Sequence, residues 1–202
     1  MKILTMPQQS FEWHQERCGS IGGTSFGQVI SGKKNRLIYN LINERLNGYV
    51  TPDDYISDDM QFGLDNEDAA RELYSEKSGI KFHQIGMIKS DYSTIHHASP
   101  DGLNEDETIV LEIKSTDDGA IHLQRHFEGV ESSHMPQIIN YFAVSDQIKE
   151  VHFVSYCPYR EERPIIPYVF KAEHYQDKIA EARKKIAEIE AEVIKKQQEF
   201  VF

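Results

Sequence analysis

Cysteine is nearly absent: Cys18 and Cys157 are the two in 202 residues, too few for a disulfide framework or a four-thiolate metal site. No run of about 18 apolar residues occurs, which excludes a membrane-spanning helix. The opening MKILTMPQQS turns polar too soon for the apolar core of a secretory leader. There is no internal repeat and no low-complexity linker. Basic surplus is lacking too: 22 Lys+Arg against 33 Asp+Glu give a net charge of -11. That sign argues against a nucleic-acid coat or a binder of anionic membranes. What is there, 39% apolar and 27% charged residues, describes a globular protein in a reducing, cytoplasmic setting, with length enough for one domain.

The negative charge is uneven. Residues 53–76 hold nine acids and one base, and residues 101–118 hold seven acids and one base. The remaining residues together carry +3. Local acidity is either a solvated surface or a cation site.

Hydrophobic spacing predicts helices over 7–15, 24–30 and 35–47, then a long one over 58–78 with Gly79 as its stop signal. The period then changes. Residues 80–90, 93–98 and 108–114 read as strands, the last of them buried. Helices follow at 117–128 and 134–145, strands at 150–157 and 165–170, and a charged helix closes the chain. In that helix Ile179, Ala182, Ile186, Ile189 and Val193 recur at three and four, a stripe expected to lie against its own domain rather than a partner. The expectation is one domain over 1–202: a helical part (about 1–79), a sheet core (about 80–171) and a C-terminal helix (about 172–199). The class is α/β, a mixed central sheet flanked by helices.

Chemistry concentrates at Ser99-Pro100-Asp101-Gly102, followed by a strand carrying Glu112-Ile113-Lys114, with Glu112 eleven residues after Asp101. Strand alternation puts Glu112 and Lys114 on one face and Ile113 on the other, with the Ile113 carbonyl at the edge of the site. Unpaired charges in an apolar strand cost several kcal/mol, so a charged pair kept there points to a function. With Asp101 alongside, two carboxylates and an ammonium converge. Such a set suits phosphodiester cleavage: hard oxygen ligands hold Mg²⁺, and a lysine orients water or offsets developing charge.

The chain resembles the phage lambda exonuclease (YqaJ-like viral recombinase) family, a branch of the PD-(D/E)xK nucleases with a restriction-endonuclease-like fold. Four segments carry the resemblance in order. They are Trp13-His14-x-x-Arg17-x-Gly19-x-Ile21-Gly22-Gly23-Thr24, Gly63-x-x-x-Glu67-x-x-Ala70-Arg71, the Asp101/Glu112/Lys114 core, and Met135-Pro136-Gln137 at a helix start. The resemblance implies Asp101, Glu112, the Ile113 carbonyl and Glu67 as metal ligands. It implies Lys114 acting on the nucleophilic water, Gln137 supporting the same neighbourhood, and Arg17, Thr24 and Ser99 binding the 5′-phosphate. It further implies a Mg²⁺-dependent (Mn²⁺ substituting) 5′→3′ exonuclease on double-stranded DNA that releases mononucleotides. Its product would be a 3′ overhang for a single-strand annealing recombinase, made by a ring-shaped homotrimer in a bacterial or phage-infected cytoplasm. Thr24 departs from the usual serine, and His134 stands where an aromatic residue is common. The alternatives are an endonuclease or flap-type nuclease of the same superfamily, or a non-catalytic recombination-complex module.

Other features read as structural. Trp13 is expected in the core. His122 and His126 have the spacing of a two-histidine metal pair, but lack a third ligand and are expected to face solvent. Gly22-Gly23 is not followed by a P-loop Lys-Ser/Thr. Lys33, Lys34, Arg36, Arg160 and Arg163 are the candidate duplex-backbone contacts. The acidic loop Asn104–Glu107 has no mechanistic reading.

Overall fold

The computed structural model describes residues 1–49 and 57–201. The first acids of the 53–76 window, Asp53 and Asp54, lie outside the described residues. The chain runs β1 (Lys2–Leu4), α1 (Phe11–Arg17), α2 (Gly23–Ser31), α3 (Lys34–Asn47), α4 (Asp58–Ser78), β2 (Phe82–His83), β3 (Met87–Lys89), β4 (His97–Ala98), β5 (Gly102–Asn104) and β6 (Ile109–Ser115). It continues with α5 (Gly119–Glu128), a 3-10 turn (Ser132–His134), α6 (Met135–Val144), β7 (Glu150–Tyr156), β8 (Ile165–Lys171), a second 3-10 turn (Ala172–Tyr175) and α7 (Gln176–Val201).

Local chemistry sets the helix ends. The Ser57 side chain accepts from the Met60 N–H at the start of α4, and Gly79 ends it in the left-handed region at φ 70°. Helix α1 begins later than its spacing suggests because the Ser10 side chain caps it by accepting from the Trp13 N–H. Gln9, at φ 65°, turns the chain just before that cap.

The five-stranded sheet has the order β2-β5-β6-β7-β8. Its β6–β7 pair is parallel, with Glu112 opposite Phe153 and Lys114 opposite Ser155; the other pairs are antiparallel. A parallel pair needs a crossover, and α5 and α6 supply it. The expected single sheet is accompanied by a second of three strands, β1-β3-β4. The span 80–90 is therefore not one strand. Gly86 divides it, and a Cβ there would come within 2.5 Å of the Met6 carbonyl.

Helices cover both faces of the larger sheet. On one, Val110 and Phe153 pack with Ile138, Tyr141 and Phe142 of α6. On the other, Leu111, Ile113 and Val154 pack with Ala70 and Tyr74 of α4. Each fully buried Val, Leu, Ile or Phe among them is worth about 1.5–3 kcal/mol. The α7 stripe lies against the chain's own α2 and α3: Ala182, Ile186, Ile189 and Val193 join Phe26, Val29, Leu37 and Leu41. Among the described residues no helix is long and apolar enough to cross a membrane.

Candidate active site

Strand β6 divides its side chains as the alternation requires. Ile113 and Leu111 face α4, while Glu112 faces α6 and meets Tyr141. Asp101 is fixed to the same strand from the side: its Oδ2 accepts from the Ile113 N–H at 2.6 Å, and its own N–H donates to the Leu111 carbonyl at 3.0 Å. Main-chain groups of alternate residues point the same way along a strand. The Ile113 carbonyl is therefore aimed to the Asp101 side, beyond the last pair of β5 with β6, Gly102 with Leu111.

Glu112 is buried, at 1% exposure. One oxygen, Oε2, accepts from the Tyr141 hydroxyl. The other, Oε1, has no hydrogen bond of good geometry among the described residues and is met by the Lys114 ammonium as an ion pair. Gln137 Nε2 donates to the Tyr141 hydroxyl at 3.1 Å, so Gln137 reaches the carboxylate through a tyrosine.

Glu67 comes from α4 and pairs with Arg71 at 3.2 Å; Arg71 Nε also donates to the Asp101 carbonyl at 2.7 Å. Arg71 thus joins the helix acid to the Pro-Asp-Gly turn. The sequence motif includes Arg71 without a role for it and does not include Tyr141. Their signal is positional: each stands four residues after a candidate, Glu67 or Gln137, and so shares its helix face.

The electrostatics bind these groups together. Burial, then the charges of Glu112 and Glu67, hold the Asp101 carboxyl well above the usual range; Lys114 and the Ile113 N–H offset part of this. Burial likewise raises Glu67, against the pull of Arg71. Burial alone would lower Lys114, but Glu112 and Asp101 outweigh it and lift the ammonium above the ordinary lysine range. Burial and the same carboxylates push the Tyr141 hydroxyl far up, so it stays a donor.

A hard divalent cation fits this donor set. Two crowded carboxylates and a main-chain oxygen offer oxygen ligands, and the buried Glu112 Oε1 has the Lys114 ammonium beside it and no hydrogen bond of good geometry. No three acidic, histidine or cysteine side chains converge on one point among the described residues. Glu67 is turned to Arg71 and Lys114 to Glu112.

The residues expected to bind phosphate lie at the end of α1 (Arg17), in the first turn of α2 (Thr24) and just after β4 (Ser99). The His97 N–H donates to the Ile21 carbonyl, and a Cβ on Gly22 would meet His97 Nε2 at 2.5 Å. Ser99 follows two residues on, its hydroxyl buried and without a partner among the described residues. Thr24 lies exposed in the first turn of α2, next to Gly23, which packs beside Gln137. The Arg17 guanidinium lies 4.0 Å over the Trp13 ring. Burial lowers its pKa and Glu44 partly restores it.

Trp13 is a core residue, its indole N–H donating to the Gly86 carbonyl at 2.9 Å. His122, expected in solvent, is buried at 2% exposure. Its ring is engaged by Ser155 Oγ at 3.0 Å and by the Arg163 carbonyl at 2.9 Å. His134 packs on Phe153 and lies 3.5 Å from Glu131. Lys34 faces Glu188 and Glu192 of α7, at 3.9 and 4.0 Å, so its charge serves the fold. The acidic loop is a turn. Asn104 Oδ1 accepts from the Thr108 and Ile109 N–H groups, and Glu105 pairs with Lys81 at 3.3 Å.

Residues 12–147 match the sequence model of the YqaJ-like viral recombinase domain. An alkaline exonuclease (LHK-Exo) from Laribacter hongkongensis is similar in structure, with a TM-score of 0.78 and 24% identity over 95% of this chain and 98% of that one. The structure of LHK-Exo in complex with dAMP matches with a TM-score of 0.78 and 23% identity over the same shares. A phage-related exonuclease from Haemophilus somnus 129PT matches with a TM-score of 0.59 and 13% identity, over 88% of this chain and 96% of that one. These likenesses show a shared fold. No curated protein matches the sequence.

Proposed function

The chain belongs to the YqaJ-like viral recombinase family, and from that premise we propose that it is a metal-dependent deoxyribonuclease acting at the ends of double-stranded DNA. One observation carries this reading: a buried carboxylate and a lysine share one face of an otherwise apolar central strand, with a second carboxyl clamped to that strand's main chain. The fold shared with exonucleases, and the dAMP complex of LHK-Exo, agree with it.

Asp101, Glu112 and the Ile113 carbonyl would hold Mg²⁺, with Mn²⁺ as substitute, and Glu67 would join on release from Arg71. The ion, when bound, lowers the pKa of a water and offsets charge on the phosphoryl oxygens. Lys114 keeps its proton and directs it at the attacking water or the developing oxyanion. Tyr141 orients Glu112, and Gln137 orients Tyr141. Arg17 would grip the 5′-phosphate as a fork, with the Ser99 and Thr24 hydroxyls completing the anion site. The polarity is then 5′→3′, since the terminal phosphate sits at one end of the site and the scissile bond at the other. Mononucleotides are released and a 3′ overhang is left for a single-strand annealing recombinase. Residues 1–202 would act as one nuclease domain, assembled as a homotrimer around the duplex.

End-labelled linear duplex incubated with and without Mg²⁺ tests the reading, with closed circular duplex beside it. Digestion of the linear form from its 5′ ends, dependent on Mg²⁺, is expected. The Lys114→Ala protein should fold as the parent does and lose digestion by about 100-fold or more, the scale for removing one transition-state charge partner. Full activity in that variant would sink the mechanism, and cutting of the circle would replace the exonuclease reading with an endonuclease one.

A further inference from the structure

Arg125 is a cation on α5 that is 8% exposed and takes no part in the site as described. Its Nε donates to Glu131 Oε1 at 3.0 Å and Oε2 at 3.3 Å. Its Nη1 donates to the Lys114 carbonyl at 3.2 Å and to Ser155 Oγ at 3.3 Å. Ser155 is the residue opposite Lys114 in the β6–β7 pair. One guanidinium therefore fastens the end of the strand that carries the lysine, the neighbouring strand, and the turn that leads into α6.

The chain of hydrogen bonds continues in one consistent direction. The Arg163 carbonyl can only accept, so His122 donates to it from Nε2 and must accept at Nδ1. Ser155 then donates its hydroxyl to His122 Nδ1 and accepts from Arg125. Burial holds His122 below its ordinary pKa, in keeping with a neutral ring. Arg125 Nε and Nη1, the Ser155 hydroxyl and His122 Nε2 each have an acceptor, and such matched donors and acceptors hold a buried polar network in one arrangement. It runs from Lys114 to the loop that carries Arg160 and Arg163.

We propose that Arg125 is the positioning residue for Lys114: by holding the Lys114 carbonyl, Ser155 and Glu131 at once, it sets where the ammonium points. This rests on the nuclease reading. A lysine at 125 keeps the charge but presents a point, not a fork, and cannot serve the separate acceptors together. Misplacing a reacting group by an ångström costs about 100-fold, and loss of a supporting contact about 10- to 100-fold.

The test uses the full chain, 5′-phosphorylated linear duplex and Mg²⁺, and measures kcat, KM for DNA ends, DNA affinity in EDTA, and thermal melting. Arg125→Lys should lower kcat about 10- to 100-fold while KM, affinity and melting stay near the parent's. Glu131→Gln, on the half-exposed partner, tests the same fork without changing a buried residue, and should lower kcat about 3- to 10-fold with KM again unmoved. Parent-like kcat in both folded variants overturns the proposal. So does a rate that falls only in step with the folded fraction, because a merely structural role predicts that result. A parent protein that leaves the DNA intact overturns the nuclease reading instead, and this inference with it.

Discussion

Replacing Tyr141 by phenylalanine removes one oxygen atom and nothing else from a buried ring that packs between α6 and the sheet. That oxygen donates to Glu112 Oε2 and accepts from Gln137 Nε2 at 3.1 Å. A hydrogen bond to a carboxylate is worth about 1.5–3 kcal/mol, which at 1.36 kcal/mol per tenfold is about 10- to 150-fold. The loss should fall on the cation and the reaction rather than on the fold. Glu112 would keep Lys114 but lose the donor that fixes its plane, so it would present a ligand oxygen less often. Tyr141→Phe is therefore expected to need more Mg²⁺ for half-maximal digestion and to turn over more slowly when Mg²⁺ saturates, with the two effects together in that range. Gln137→Ala, acting one bond further out, should shift the same quantities by less. The assay is a Mg²⁺ titration of the digestion rate at saturating linear duplex, with thermal melting in parallel. A Tyr141→Phe protein with the parent's Mg²⁺ requirement and rate would refute the assignment of Glu112 as a ligand held by Tyr141.

Two further outcomes are expected. Arg17→Ala should slow digestion of 5′-phosphorylated ends about tenfold or more, the scale of a charge-assisted hydrogen bond, and leave 5′-hydroxyl ends little changed. Equal behaviour of the two ends in the parent protein would show that the phosphate pocket is misassigned. His96 is pushed down to about 4 from 6.5, chiefly by burial, so the folded protein keeps it neutral where the unfolded chain protonates it. Its contribution to stability is whole above pH 6.5 and is lost as pH falls towards 4, about 3 kcal/mol in all. Urea unfolding at pH 7.5 and pH 5 should show about 2 kcal/mol of this loss in the parent and a smaller one in His96→Gln, and equal losses would dismiss burial of this ring as the cause.

The elements legible in the sequence are those whose ends are set by their own side chains. Helix α4 starts at the Ser57 cap and stops at Gly79, as the residues say. Strand β6 shows as a buried run, and its alternation correctly separates Ile113 from Glu112. Strands β1 and β5 escaped because each is three residues long and exists only through distant partners: β1 through Met87–Lys89, β5 through β6 and β2. The Pro-Asp-Gly turn hid β5, since turn chemistry and a short strand occupy adjacent residues there. For the site, β6 and the turn bonded to it bring Asp101 and Lys114 beside Glu112, while the roles of the groups that support them are not legible in the sequence. Arg71, Tyr141 and Arg125 sit in helices where an arginine or tyrosine is ordinary, and only the packing of α4, α5 and α6 on the sheet shows what they hold. His122 was misjudged for the same reason: the spacing to His126 suggested a shared face, but β7 and the Arg163 carbonyl cover its ring.

The net charge of -11 divides into acids with different duties. On α4, Asp58, Asp59, Asp65, Asp68, Glu72 and Glu76 are exposed, and at physiological salt their fields fade within about 8 Å. Glu67 and Asp101 are instead raised by burial and by the charge of Glu112 inside the protein, where screening is weak. The chain meets that repulsion with two interleaved cations: Arg71 lies between Glu67 and the Asp101 turn, and Lys114 lies on Glu112. A divalent ion entering such a site would displace neither carboxylate from its strand or turn. It would need only Glu67 to leave Arg71 and Lys114 to swing from Glu112, two side-chain moves within a main chain already fixed by the Asp101–Ile113 bond. The cations that hold the acids apart are thus the same groups that would be free to act on a phosphate once the ion is bound.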